Sequence, residues 1–344
     1  MLDPVNVATA LPGAQGAIAD AGDGLVRGAA ILSVATALPE GRLSTVELAG
    51  QLGVSDDWIM SRTGVRERRR AGADERLSDY ATEAGARALK AAGVPAADVD
   101  LVLVATMTQD DLTPNTAPLV AHALGAVGAG AIDVGAACTG FLSGLSLGTA
   151  QIEAGRAQRV LLIGADFITR ITNYADKRTA PLFGDAAGAV VLAPAQPGQG
   201  TVGPILLGAD GSHGQTIIAT HAERQLIMDG PEVFRHAVAR MREVTLAAVA
   251  RAGLTLDDID LFVYHQANAR ITRALRERLE LEPERVVDCI EALGNASAAT
   301  LPVALASAAA DGRLRPGAKV LLSAFGAGFT WGGGVIEWGG SGDD

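Results

Sequence analysis

Two side chains stand out by where they fall in the chain. Cys138 lies in AIDVGAACTGFLSGLSLGTAQIEAG, where an apolar strand-like run gives way to a helix of small residues. The pattern starts the helix at or just after Cys138. Unpaired N–H groups and the macrodipole at such a start stabilise a thiolate, commonly lowering a thiol by one or more units from about 8.5. The small neighbours leave room for a thioester to reach the sulfur. A buried structural cysteine is the competing reading. His265 closes an apolar run in DLFVYHQANARI. It occupies the carboxyl end of a strand, where α/β sheets tend to place reactive groups, although a satisfied core histidine would look the same. Asn295, in ALGNASAATLPVALA, stands where a second small-residue helix begins; an N-cap also accounts for it. Cys289, in the strand-like run RVVDCIEALG, has no such setting and reads as core packing.

The elements that would position these residues occur twice. Ala91–Thr106 (AAGVPAADVDLVLVAT) matches Arg251–Gln266 (RAGLTLDDIDLFVYHQ), and VLLIGA at 160–165 matches VLLSAF at 320–325, both at an offset of 160. In each copy a helix ends near Gly93 or Gly253, and an Asp-x-Asp turn leads into a short apolar run. A small-residue helix, a second apolar strand and a Gly-broken strand-like segment follow. Uniformly apolar runs of this length suit strands covered on both faces. The repeat predicts an α/β protein of two similar halves, with two sheets, outer helices and a shared helix layer between them. The expected division is a loose extension at 1–28, a first half at 29–198 carrying Cys138, and a second half at 199–344 carrying His265 and Asn295. At an offset of 157, Asn295 falls nearly opposite Cys138.

Composition limits the rest. The chain has 344 residues, of which 49% are hydrophobic and 19% charged, enough apolar content for a large core. A net charge of −11 argues against a general phosphate-backbone binder of nucleic acid. Two cysteines exclude a disulfide framework and point to a reducing, cytoplasmic setting. The uncharged stretches Leu112–Ile132 and Val134–Ile152 are broken by Pro, Asn and His or rich in small residues, and read as buried central helices rather than membrane spans. His122, His213, His221 and His236 show no metal-ligand spacing, and no metal is expected. No Gly-rich phosphate loop appears, so no nucleotide redox cofactor is expected.

Taken together, Cys138 in ACTGF, His265 in HQANARI, Asn295 in GNASAAT and the closing AFGAGFTWGGG resemble β-ketoacyl-ACP synthase III of the thiolase superfamily. The earlier segment WIMSRTGVRERR (58–69) is similar to that family as well. The resemblance implies a thiolase-like five-layered αβαβα fold with pseudo-twofold symmetry, a homodimer, no cofactor, and a Cys138–His265–Asn295 triad. It implies that an acyl-CoA loads Cys138 and that malonyl-ACP then condenses with loss of carbon dioxide. His265 and Asn295 would donate hydrogen bonds to the enolate, and the backbone N–H groups of Cys138 and Ala327 would hold the second oxyanion. Ala327 stands where the family often has Gly. By the same resemblance Trp58 and Arg62 bind CoA, with Lys177 and Arg178 replacing the family's usual Arg followed by Gly or Ser. Arg235, Arg270 and Arg273 would dock the acyl carrier protein. Thr113, contributed by the partner subunit in place of a Phe frequent in acetyl-preferring members, would open the primer pocket beside Phe141 and Leu142. A transferase of the same fold that does not decarboxylate its substrate, and a silent partner subunit, are the rival readings.

Overall fold

The computed structural model describes residues 28–339. The expected extension at 1–28 lies outside the described residues, save for Gly28. The first sheet is built from β1 (Ala29–Ala37), β2 (Leu101–Ala105), β3 (Gly130–Val134), β4 (Val160–Phe167) and β5 (Asp185–Pro194), in the order β1-β5-β4-β2-β3. The second takes β6 (Gly200–Val202), β7 (Leu206–Ala209), β8 (Leu261–Tyr264), β9 (Lys319–Gly326) and β10 (Thr330–Trp338). Its order is β8-β9-β10-β6, with β7 also on β10. Each sheet contains a matching parallel pair, β2 with β4 and β8 with β9, and Leu101 opposite Val160 is reproduced by Leu261 opposite Val320.

The helices that frame the sheets and the site are α1 (Asp56–Thr63), α2 (Leu77–Ala92), α3 (Thr116–Leu124), α4 (Gly140–Glu153), α5 (Gly230–Arg251), α6 (Ala269–Arg278) and α7 (Thr300–Ala310). Helices α2 and α3 cover the first sheet, and α5 and α6 the second. Between the sheets lie α4 and α7, whose Phe141, Leu142, Leu145, Leu301 and Leu305 are wholly buried against strands of both. Burying each such side chain contributes about 1.5–3 kcal/mol. The result is the expected five-layered αβαβα arrangement. These two helices carry little charge because most of each is covered, although α4 leaves Leu147 48% exposed. Outer α2 shows the one-sided pattern instead, with Leu77, Ala81, Ala84, Ala88 and Leu89 buried, and it ends at Gly93 in the left-handed conformation (φ 64°).

Three sequence readings are corrected. Leu112–Ile132 is not central: α3 lies in an outer layer, and Leu112, Val127 and Ile132 are exposed. No helix of the described residues is long and apolar enough to cross a membrane. The run before Cys289 is not a strand. It makes one bridge, Val286 to Phe262, and then enters the short helix Ile290–Leu293. The Gln266 side chain takes the place of a neighbouring strand there, bonding Val287 O at 3.1 Å and Cys289 N at 3.1 Å. Finally, Asn295 is not the counterpart of Cys138. The turn Ala137–Thr139 before α4 matches Ser297–Ala299 before α7, with Ala137 (φ 44°) and Ser297 (φ 48°) both left-handed. Cys138 therefore pairs with Ala298 at the same offset of 160 that relates the strands.

Candidate active site

Cys138 sits in the single 3-10 turn that joins β3 to α4. Close backbone approaches carry the turn into the middle of the molecule. A Cβ on Gly326 would fall 3.0 Å from both the Cβ and the N of Cys138, so only glycine lets the end of β9 approach it. A Cβ on Gly164 would strike Ala298 O at 2.4 Å, so β4 likewise requires glycine to admit the matching turn of the other half. Ala327 follows Gly326 directly. Thr139 Oγ1 lies 2.9 Å from Thr330 Oγ1, which donates to Ala327 O at 3.1 Å, tying the Ala327 turn to the residue after Cys138.

His265 extends the pairing of β8 by donating its N–H to Ser323 O at 2.8 Å, and it is 1% exposed. Its Nδ1 lies 2.5 Å from Thr300 Oγ1, while Nε2 is buried without a partner. Thr300 Oγ1 is also 2.9 Å from Ser297 O. The single Thr300 proton can go to Ser297 O or to Nδ1, and donation to Nδ1 leaves the imidazole proton on Nε2. Burial holds the imidazole neutral, its pKa lowered to about 3.

Asn295 is fixed by its backbone, which bonds Leu182 O at 2.8 Å and Gly184 N at 3.0 Å. Its Oδ1 accepts from Ser297 N at 2.9 Å, which leaves Nδ2 as the group to offer. Sequence reasoning missed Ser297, and this residue connects all three predicted side chains. Its N–H holds Asn295, its carbonyl holds Thr300 and through it His265, and its hydroxyl faces the Cys138 thiol. The spacing N-A-S-A-A-T, with hydroxyls three apart at a helix start, was the available signal.

The expected low thiol pKa is not what the surroundings give. Burial pushes the Cys138 thiol up to about 11, the Ser297 hydroxyl pulls against this, and the nearby Asp166 charge adds to it. The thiol keeps a partial opening to solvent, but no cation stands beside it to offset desolvation. Asp166 is the one charged residue in the wholly buried strand β4, a signal legible in VLLIGADF. It accepts from Met107 N (2.9 Å), Thr108 Oγ1 (2.8 Å) and Ala298 N (3.1 Å), clamping the end of β2 to the Ser297 turn.

The outer residues divide. Trp58 is partly exposed on α1, with the Arg62 guanidinium 4.3 Å above its ring and Lys177 Nζ at 6.0 Å. Arg178 instead turns onto Asp176, N to O 2.8 Å, which neutralises it. Asn268 Nδ2 donates to Arg62 O at 3.0 Å, joining α1 to the start of α6. Arg270 and Arg273 are exposed on α6, Arg270 lying 5.4 Å over Phe234, next to Arg235. Arg235 is exposed but paired with Glu232. Phe141 and Leu142 are buried in α4, and Thr113 is exposed on the loop between β2 and α3.

With this geometry in place, the comparisons with known proteins decide the family. Residues 132–211 match the family described as 3-Oxoacyl-[acyl-carrier-protein (ACP)] synthase III, and residues 249–338 match its C-terminal part. A β-ketoacyl-[acyl-carrier-protein] synthase III of Geobacillus kaustophilus is 42% identical over 312 residues, 91% of this chain and 99% of that protein. This chain belongs to the β-ketoacyl-ACP synthase III family. It is thus a condensing enzyme of the acyltransferase kind, with a thiolase-type fold. The Aquifex aeolicus synthase III structure superposes with a TM-score of 0.88 at 36% identity, covering 90% of this chain and all of that one. A priming β-ketosynthase of the R1128 polyketide pathway gives 0.86 at 35%, covering 91% and 96%.

Proposed function

We propose that this synthase moves an acyl group from CoA to Cys138 and condenses it with malonyl-ACP, with loss of carbon dioxide, to start a fatty-acid or polyketide chain. The observation that carries the reading is Ser297, which holds a thiol, an imidazole and an amide about one centre. In the loading step the Cys138 sulfur bonds the acyl carbonyl carbon, the carbon–sulfur bond to CoA breaks, and the thiol proton leaves with the CoA sulfur. Decarboxylation of the malonyl thioester then places charge on the thioester oxygen. Asn295 Nδ2 and His265 Nε2 donate to that oxygen. The histidine is a donor there in the neutral tautomer whose Nδ1 accepts from the Thr300 hydroxyl and whose proton sits on Nε2. The carbanion attacks the acyl carbonyl, whose oxygen is held by the N–H groups of Cys138 and Ala327. The carbon–sulfur bond to Cys138 then breaks, the 3-oxoacyl group leaves on the carrier, and the released thiolate takes a proton from water.

Trp58 with Arg62 and Lys177 suits a CoA adenine and its phosphates through stacking and charge; the pairing of Arg178 with Asp176 makes it the weakest member of that set. Arg235, Arg270 and Arg273 form a basic face on a protein of net charge −11, suited to steering an acidic carrier. A homodimer is supported by β3, an edge strand whose Ile132 is 52% exposed. The division into halves at 198/199 falls between β5 and β6. A reducing, cytoplasmic setting suits the two free cysteines. Mass spectrometry of the protein with acyl-CoA and malonyl-ACP tests the reading: a 3-oxo product two carbons longer is expected, and acyl transfer without extension would overturn condensation.

Three further outcomes are expected. Thr300→Val keeps the shape but removes the hydroxyl on Nδ1, and should slow malonyl decarboxylation about tenfold, the worth of one buried hydrogen bond. Loading of Cys138 should change much less; equal slowing would move Thr300 out of the enolate step. Arg270→Glu should raise the apparent KM for malonyl-ACP much more than for malonyl-CoA, and an equal rise would take Arg270 off the carrier surface. Thr113 in place of Phe leaves room for several methylenes, each worth about 0.8 kcal/mol when buried. In competition among acetyl-, isobutyryl- and hexanoyl-CoA, intact mass should show the larger primers on Cys138, and Thr113→Phe should restore acetyl. Preference for acetyl in the unaltered protein would sink the open pocket.

A further inference from the structure

His213, Glu232 and His236 were given no role from sequence, because 19 and 23 residues of separation from His213 carry no ligand signature. The fold brings them together, with donor atoms all within 4.8 Å of one another. We propose that these three side chains form a binding site for a transition-metal dication of the zinc class.

Glu232 and His236 lie on successive turns of one face of α5, Glu232 Oε1 and His236 Nε2 being 2.9 Å apart. His213 comes from the 3-10 turn Gly211–His213 after β7, and its ring centre is 4.3 Å from that of His236. Phe329 backs both rings, stacked on His213 at 5.0 Å and 12° and tilted against His236 at 5.2 Å. The ligand side chains are thereby about three-quarters covered: His213 is 29%, His236 27% and Glu232 25% exposed. An apolar wall on one side and an opening on the other suit an ion that enters from solvent.

The donor set selects the ion. Two imidazoles and one carboxylate match zinc, with metal–nitrogen bonds of about 2.0–2.1 Å. Magnesium and calcium prefer an all-oxygen shell. Asp210 Oδ2, 3.9 Å from His213 Nε2, or a water can complete a tetrahedron. Glu232 now also pairs with Arg235, whose side chain is 72% exposed and free to swing into solvent when the carboxylate turns to a metal. The ion would fasten the turn after β7 to α5. Asp210 and Phe329 exchange two backbone hydrogen bonds, at 2.8 and 2.7 Å, so the same ion would stiffen the Gly326–Thr330 turn that contains Ala327. The proposal concerns binding and does not depend on the roles given to the catalytic residues.

The test is calorimetric titration of untagged protein with Zn2+ alone, in the Cys138→Ala background so that the thiol cannot compete. One Zn2+ per chain is expected, with affinity reduced more than about tenfold in both His213→Gln and His236→Gln. The thermal midpoint should rise with Zn2+ in the parent and not in these variants. Co2+ in place of Zn2+ should give d–d bands without a thiolate charge-transfer band. Far-UV circular dichroism of the metal-free variants checks their folding. His213 lies on a surface turn, so His213→Gln is decisive if His236→Gln loses structure. No binding by the parent, or binding equally tight in the folded variants, would overturn the site.

Discussion

Cys138→Ala should abolish acyl uptake from CoA and all 3-oxo product, leaving the thermal midpoint nearly unchanged. The loss is of the sulfur proposed to hold the acyl group covalently, so no residual condensation is expected. The fold should survive because the residue sits in a turn among small neighbours and keeps a partial opening to solvent, so that loss of the sulfur leaves little cavity. Malonyl decarboxylation uncoupled from condensation should persist, since Ser297 still holds Asn295 and Thr300 in place. Intact-protein mass after exposure to acyl-CoA, with product analysis beside it, reads all three outcomes. Condensation at full rate would remove Cys138 from the mechanism. With the thiol pushed up to about 11, only a small fraction is thiolate near neutrality. Alkylation of Cys138 should therefore accelerate about tenfold per pH unit between 7 and 9.

His265→Ala and Asn295→Ala should each still load Cys138, yet lose decarboxylation by about 10²–10³-fold. That is the effect of removing one preorganised donor to a developing oxyanion, about 2.7–4 kcal/mol. The two variants should resemble each other because both donors would serve the same oxygen. Self-acylation measured by mass and carbon dioxide release measured separately would distinguish the half-reactions. Equal loss of both would assign His265 to the thiol instead. Burial holds the folded His265 pKa near 3, below the ordinary value of about 6.5. The unfolded chain therefore binds the extra proton first. The stability this group contributes is complete above pH 6.5 and is lost as pH falls from there toward 3. An acid limb of decarboxylation near pH 6 would thus not arise from His265 in the folded enzyme.

Much of this was legible in the residues. The repeat at an offset of 160 gave two similar units, because equivalent strands with helix-ended approaches need the same apolar lengths and the same glycines at 93 and 253. The low charge of α4 and α7 follows from their place between two sheets, where most of each helix is covered. Cys138, His265 and Asn295 could be named because each stands at an element boundary, where α/β architecture exposes side chains.

The connections among them depend on tertiary structure. Ser297 and Thr300 are ordinary helix-start hydroxyls in sequence; only the approach of β8 and the Cys138 turn makes one a hub and the other the partner of His265 Nδ1. The exact match of Cys138 with Ala298 rather than Asn295 rests on left-handed residues at 137 and 297, a backbone feature that Ala and Ser do not advertise. The thiol pKa was misread for the same reason. A helix start is a local property and is visible in sequence, whereas desolvation and the charge of Asp166 come from segments far along the chain. His213 likewise joins the helical pair Glu232 and His236 only through packing of the turn after β7 on α5. Sequence determined the periodicities, and with them the layers and candidate chemical groups, because these depend on neighbours a few residues apart. Tertiary structure decided protonation, hydrogen-bond partners and the joining of groups, because those energies depend on distances through space between atoms well separated along the chain.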